Sequence, residues 1–258
     1  MENNKEIRKD RFRIGMTFIS ITNPQDTLER VERAVDEGVN GYICVSNMRT
    51  VKYANKHYDY SDVMNDAFMC IPDGMPLVWL GRLWGLKDAQ RSNGPTLFQV
   101  MLNKPENGVK HFLLGDTDET LNALKEKYPN ANIVGVFSPP FCELNEYDYE
   151  GIAKMLNESG ADVVWISMRA PKQDYFSAKL MPYIDKKMCI GVGRAFRIAL
   201  GEFTEVPKLA QKLGLSGFWL RRNSLWEEIK FYVETSFYLF YYGSKIFVKR
   251  LIGRKYYI

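Results

Sequence analysis

The stretch CIPDGMPLVW, residues 70–79, places Asp73 between a short apolar run and a Pro/Gly turn. A carboxylate held at the end of a strand is a candidate general base, because apolar surroundings can shift its pKa toward proton-transfer duty. The bland alternative is turn chemistry, for which Pro-Asp-Gly is well suited. Further along, Asp116 and Asp118 in GDTDE have the Asp-x-Asp spacing that holds a divalent metal in many transferases. Asp116 with Glu119 three positions on also reads as a capping pair ahead of a helix face of Leu121, Leu124 and Tyr128, and that is the stronger reading. Gly191 and Gly193 in IGVGRAFRIALG end an apolar run and open a helix, a turn at which backbone N–H groups approach a phosphate. A dinucleotide fingerprint is incomplete there, because Phe196 takes the place of the third glycine and no acidic residue follows at the usual distance. In RAPKQDYF, Pro171 opens a helix with Gln173 and Asp174 just inside. This is either a favourably charged N-terminus or an open helix end at which Gln173 both donates and accepts hydrogen bonds.

Such groups act only where elements hold them, and the element pattern is readable. RIGMTFISIT is a first strand-like run. Asn23 as N-cap, Pro24 at the first helical position, Leu28, Val31 and Val35 on one face and a closing Gly38 predict a helix. GYICVSN is a buried strand, followed by a polar helical stretch and the run that ends at Asp73. From KHFLLG onward strands and helices alternate through NIVGVF, ADVVWIS and CIGVG, with a further helix from Ala195. Right-handed crossovers of this length make a parallel sheet, so the expected fold class is α/β, a Rossmann-like parallel sheet core with helices on both faces. Ligands of open α/β sheets bind beyond the carboxyl ends of the strands. Asn47, Asp73, Gly115, Arg169 and Gly193 all lie where an apolar run gives way to a loop or helix start, so a site is expected among them.

A chain of 258 residues with 46% hydrophobic content is long enough to bury a full core. Cys44, Cys70, Cys142 and Cys189 are scattered singly, without metal-like spacing, and read as reduced core thiols. With only His57 and His111 a histidine-rich metal centre is excluded. The charged opening MENNKEIRKDR lacks the order of a signal peptide, so the expected location is cytoplasmic. The net charge of +4 is concentrated: residues 219–258 carry eight Lys/Arg against three Glu, leaving about −1 for the first 218, and they hold 12 of the 35 aromatic residues. The expected organisation is therefore a core over 1–218 and a basic, aromatic helical appendage over 219–258. In that appendage Ile229, Val233, Phe237 and Phe240 recur at helical spacing, ahead of Lys245, Lys249, Arg250, Arg254 and Lys255. Glu234, Thr235 and Ser236 argue against a membrane span and for an interfacial helix on anionic lipid, the alternative being a face packed on the core or a partner subunit.

Seven stretches in order then carry a resemblance: VSN at 45–47, PDGMPLVW at 72–79, QRSNGPTL at 90–97, FLLGDT at 112–117, KYPNANIVG at 127–135, APKQD at 170–174 and GVGRAF at 191–196. Together they resemble the WecG/TagA/CpsF glycosyltransferases over most of residues 12–215. The resemblance implies an inverting transferase that moves a sugar from a UDP-sugar donor to a polyprenyl-diphosphate-linked sugar acceptor at the cytoplasmic membrane face, in cell-surface polysaccharide synthesis. It implies that Asp73 is the general base, Asn47 an active-site residue, Arg91 a residue near the donor, and Gln173 the Gln of the family's Pro-Lys-Gln-Glu motif. Gly193 stands as a phosphate-approach position, and Arg221 and Arg222 as candidates for contacts to the diphosphate. No metal or other cofactor and no nucleic acid is expected, and a homo-oligomer is left open.

The departures are as informative. Val45 stands where teichoic-acid enzymes carry Thr, Thr96 replaces an Asp, and Asp174 replaces a Glu, so the donor sugar is not fixed and N-acetylmannosamine is the best-known option. Arg197 and Glu205 each reverse the family's usual charge, which predicts an ion pair between them. Two other functions remain open on the sequence: a non-catalytic nucleotide-sugar-binding subunit of a capsule assembly complex, and a dinucleotide-dependent oxidoreductase.

Overall fold

The computed structural model describes residues 9–203, 206–207, 209–210, 213–215, 219 and 224–256. Its centre is a six-stranded, all-parallel sheet in the order β4-β3-β8-β7-β5-β6. The strands are β3 (Gly41–Ser46), β4 (Met69–Pro72), β5 (His111–Gly115), β6 (Ile133–Phe137), β7 (Val163–Ser167) and β8 (Met188–Gly191). All but the edge strand β6 are buried almost throughout, as a parallel sheet covered on both faces requires.

On one face lie α1 (Pro24–Asp36), α5 (Gly94–Leu102), α6 (Asp118–Lys127) and α9 (Ala195–Leu200), around Val31, Phe98, Leu121, Trp165 and Phe196. On the other lie α2 (Met48–Ala54), α3 (Tyr58–Asp66), α4 (Met75–Leu83), α7 (Tyr149–Glu158) and α8 (Lys172–Leu180). The last described helix, α10 (Leu225–Leu251), packs over that second layer with Ile246 in its core. Helix α1 forms as its sequence predicts: Asn23 caps it by accepting from Asp26 N, Pro24 opens it, and Gly38 lies just past its end. The cysteines are free, with Cys44, Cys70 and Cys189 buried.

The run RIGMTFISIT is not one strand. It folds into an antiparallel hairpin of β1 (Arg11–Ile14) and β2 (Thr17–Ser20), separate from the main sheet. The two-residue turn rests on Gly15 at φ +62, which glycine adopts without the penalty of a Cβ. Phe12, Ile14 and Ile19 of the hairpin are fully buried in the α2–α4 layer.

Candidate active site

Asp73 is the first residue after β4, and one glycine separates it from α4. Its N–H donates to Ser46 O at 2.7 Å, which ties the loop to the end of β3. Arg91 grips it twice: Nε donates to the Asp73 carbonyl at 2.5 Å and Nη2 to Oδ1 at 3.0 Å. The side chains of the pair are 28% and 26% exposed, so the carboxylate is oriented and still reaches the surface. Ser92 N donates to Pro72 O at 2.9 Å, which holds the Arg91 segment against the end of β4.

Asn47 sits beside this pair; a Cβ on Gly74 would lie 3.4 Å from its Cβ. Its Oδ1 accepts from Arg49 N at 2.8 Å and Thr50 N at 3.4 Å, completing a capping box with the Thr50 hydroxyl. The residue therefore has a structural duty at the end of β3. Gly94, which opens α5, packs on Val192, since a Cβ there would lie 3.3 Å from the Val192 Cα. The loop that carries Arg91 thus reaches the end of β8, and the strand ends from β4 to β8 are the place where an open α/β sheet has its ligand crevice.

Gln173 lies beneath the turn at Gly193 rather than at an exposed helix end. It is 3% exposed, and its Oε1 accepts from Gly193 N at 2.9 Å. A Cβ on Gly191 would lie 2.8 Å from Gln173 Nε2, so only glycine at the end of β8 lets this side chain in. The result is a fixed turn at Gly193, whose carbonyl also accepts from Ser167 Oγ at 2.7 Å. Next to Gln173, Asp174 is 1% exposed and accepts from Tyr60 Oη at 2.5 Å. Burial pushes its carboxyl up to about 7, against the Tyr60 hydrogen bond that pulls it down. The same burial, with Asp174 nearby, raises the Tyr60 hydroxyl and the Cys44 thiol.

Asp116 is not the cap of α6. Thr117 is, accepting from Thr120 N at 3.3 Å. Asp116 takes a left-handed φ of +60 at the end of β5 and receives Arg197 through Nε at 3.1 and 3.0 Å and Nη2 at 2.8 Å. Burial opposes ionisation, but the Arg197 hydrogen bonds, with those from Thr117 and Thr120, hold the carboxyl below its usual range. Glu202 stands 3.7 Å from the same guanidinium. Glu205, the partner expected for Arg197, lies outside the described residues, as do Arg221 and Arg222. Among the described residues, the carboxylate closest to the Arg197 guanidinium is that of Asp116, 81 positions away, a separation that no sequence spacing names. Among the described residues there is no group of three or more His, Cys, Asp or Glu placed to hold a metal ion.

Asp73, Arg91, Asn47, Gly193 and Gln173 thus meet along the carboxyl ends of β4, β3 and β8. A base, a cation and a glycine turn gathered there can deprotonate a hydroxyl and receive an anionic leaving group. The sequence profile described as Glycosyl transferase WecG/TagA/CpsF family matches residues 12–250. A relative from Bacillus subtilis (strain 168), N-acetylglucosaminyldiphosphoundecaprenol N-acetyl-beta-D-mannosaminyltransferase, is 25% identical over 205 residues, which is 78% of this chain and 77% of the relative. A protein of the same name from Staphylococcus aureus (strain MRSA252) is 26% identical over 196 residues, 74% of each chain.

Proposed function

The chain belongs to the WecG/TagA/CpsF family of glycosyl transferases, and on that footing we propose that it moves a sugar from a UDP-sugar to a polyprenyl-diphosphate-linked saccharide, with inversion. The observation that carries this reading is the placement of Asp73 by Arg91 at the mouth of the crevice shared with Asn47 and Gly193. The acceptor oxygen attacks the anomeric carbon as its proton passes to the Asp73 carboxylate. The bond from that carbon to the UDP oxygen breaks, and the electron pair leaves with the diphosphate. Arg91 fixes the carboxylate, and the Gly193 turn, pinned by Gln173, is where the donor phosphates approach the backbone. Arg221 and Arg222 are the further cations assigned to the diphosphate.

The relatives' names support an N-acetylmannosamine-type donor and an N-acetylglucosamine-bearing acceptor, while Val45, Thr96 and Asp174 leave room for a different sugar. The test is a panel of UDP-sugars offered with a short-chain polyprenyl-diphosphate N-acetylglucosamine acceptor, following UDP release and product. Transfer from one donor supports the reading. UDP binding with no turnover on any donor returns the protein to a non-catalytic binding subunit.

Residues 219–258 act, in this reading, as the appendage that brings the crevice to the lipid-linked acceptor at the cytoplasmic membrane face. No described helix is long and apolar enough to cross a membrane. Instead α10 turns Trp226, Val233, Phe237, Phe240, Phe247 and Leu251 outward, each more than half exposed, along one side. Its inner side is tied to α2 by the pairs Arg49–Glu228 and Lys52–Glu234. Arg49 is two residues from Asn47, so the start of α10 lies close to the crevice. An apolar stripe flanked by cations suits an anionic bilayer surface.

A further inference from the structure

The cations of α10 are unevenly placed. Its first turns hold Glu227 and Glu228, and Glu234 follows; beyond Glu234 the chain has Lys245, Lys249, Arg250, Arg254 and Lys255 and no acidic residue. The core adds positive charge at that end. Partial burial, and then Arg13, Arg254 and Lys245 around it, hold Lys249 below the ordinary lysine range. Between the C-terminal ends of α4 and α10 lies an open surface cavity of about 470 Å³ lined by the exposed Arg82, Gly85, Lys87 and Arg250. Asp88 follows Lys87 in the chain but does not line it. Arg250 is fixed there, its Nη1 donating to Leu83 O at 2.9 Å. Side chains of one sign gathered in one cavity repel one another until an anion sits among them.

The cavity lies at the opposite end of α4 from Asp73. Asp73 precedes the start of α4 and the cavity adjoins its end, about 13 Å away for nine residues of helix. Along α10, Arg250 lies roughly 33 Å beyond Glu228. On the same side of α10, Phe247 and Leu251 are 56% and 71% exposed.

We propose that Arg82, Lys87 and Arg250 bind the phosphate of an anionic glycerophospholipid headgroup, with the acyl chains running past Phe247 and Leu251. Two guanidinium forks and one ammonium suit a phosphate diester, and the neighbouring apolar residues favour a lipid over a free anion. This rests on α10 lying on a membrane.

The test is flotation of the full chain with phosphatidylcholine vesicles, with and without phosphatidylglycerol. Arg82→Ser/Lys87→Ser is compared with Lys125→Ser/Lys127→Ser, two exposed cations on α6 in the opposite layer. Removing the cavity pair should lower partitioning to phosphatidylglycerol vesicles roughly 25-fold, about fivefold per cation near the surface. The α6 pair should stay within twofold, and binding to phosphatidylcholine alone should be the same for all three proteins. Equal losses from both pairs, or no loss, would overturn the site while leaving the membrane reading standing. Failure of the unaltered protein to float with any vesicle would sink the membrane reading and the site with it. In a separate calorimetric titration, inorganic phosphate binding as tightly as a short-chain, soluble phosphatidylglycerol would overturn the lipid assignment.

Discussion

The carboxyl edge of the sheet and the outer side of α10 handle charge in opposite ways. At the edge, Asp73 is gripped by Arg91 and Asp116 by Arg197, each carboxylate with its own guanidinium. Along α10 and the residues just after it, acidic residues stop at Glu234 while cations continue to Lys255, and the outer face of the helix is apolar. Paired groups at a strand end are pre-set for a small ligand, because their geometry is fixed before anything binds. A helix end with one sign of charge and exposed aromatic residues is suited to something larger and anionic.

The largest effect that can break this contrast is at the edge. Asp73→Asn fills the same space but cannot take a proton, so transfer should fall roughly a hundredfold or more, with UDP binding and fold retained. Turnover at the unaltered rate in a coupled UDP-release assay would return Asp73 to turn chemistry. On the other side, Phe237→Ser/Phe240→Ser should weaken vesicle binding by roughly thirtyfold or more, since each ring is 70% or more exposed and available for burial. Transfer to a short-chain, water-soluble acceptor should be unchanged. If instead the variant alters the sedimentation mass and leaves vesicle binding intact, that face covers a second copy of the chain.

What the sequence disclosed follows the same division. Local signals were legible: the Asn23 cap and Pro24, the apolar runs, and the strand ends that collect Asn47, Asp73 and Gly193. The hairpin's signal is a break in phase: Ile14 and Ile19 are five positions apart, which a single strand could not bury on one face, and the reversal at Gly15 puts both on the buried side. Gln173 was visible as a motif residue, but its bond to Gly193, 20 positions on, was not. Pairings such as Tyr60 with Asp174 or Asp116 with Arg197 span 114 and 81 positions, and they exist only once the parallel sheet has brought its strand ends together.

A third prediction concerns the support beneath the edge. Asp174 carries a folded-state pKa of about 7, above the ordinary value of about 4, because burial disfavours its charge. The folded protein therefore binds more protons than the unfolded chain between those values. The protonated form's contribution is fully present below about pH 4 and is lost as pH rises through about 7. Urea unfolding of Asp174→Asn should lack this decline, on the order of 1 kcal/mol per pH unit over that window, and the variant should be the more stable protein at pH 8. An unchanged slope would show that Asp174 ionises in place without penalty.

The smallest effect tests whether pairing at the edge is energetic or merely geometric. Asp116 is 9% exposed in its side chain and Arg197 42%, so the bond is only partly shielded from water. Such a pair contributes about 1 kcal/mol, above the exposed median because the guanidinium binds in fork geometry. Asp116→Asn is the suitable probe, since asparagine tolerates the left-handed backbone at this position and removes only the charge. Arg197→Met keeps most of the stem and removes the donors. In a double-mutant cycle the two should cost less together than the sum of each alone, by roughly 1 kcal/mol. Because the Asp116 carboxyl lies below its usual range, the stability it adds is present above the unfolded value of about 4 and fades as pH falls through the folded one. The coupling should therefore vanish in strong acid and persist at neutrality. Strict additivity at pH 7 would mean that Arg197 is held by the loop rather than by Asp116, and would free its guanidinium to meet the donor.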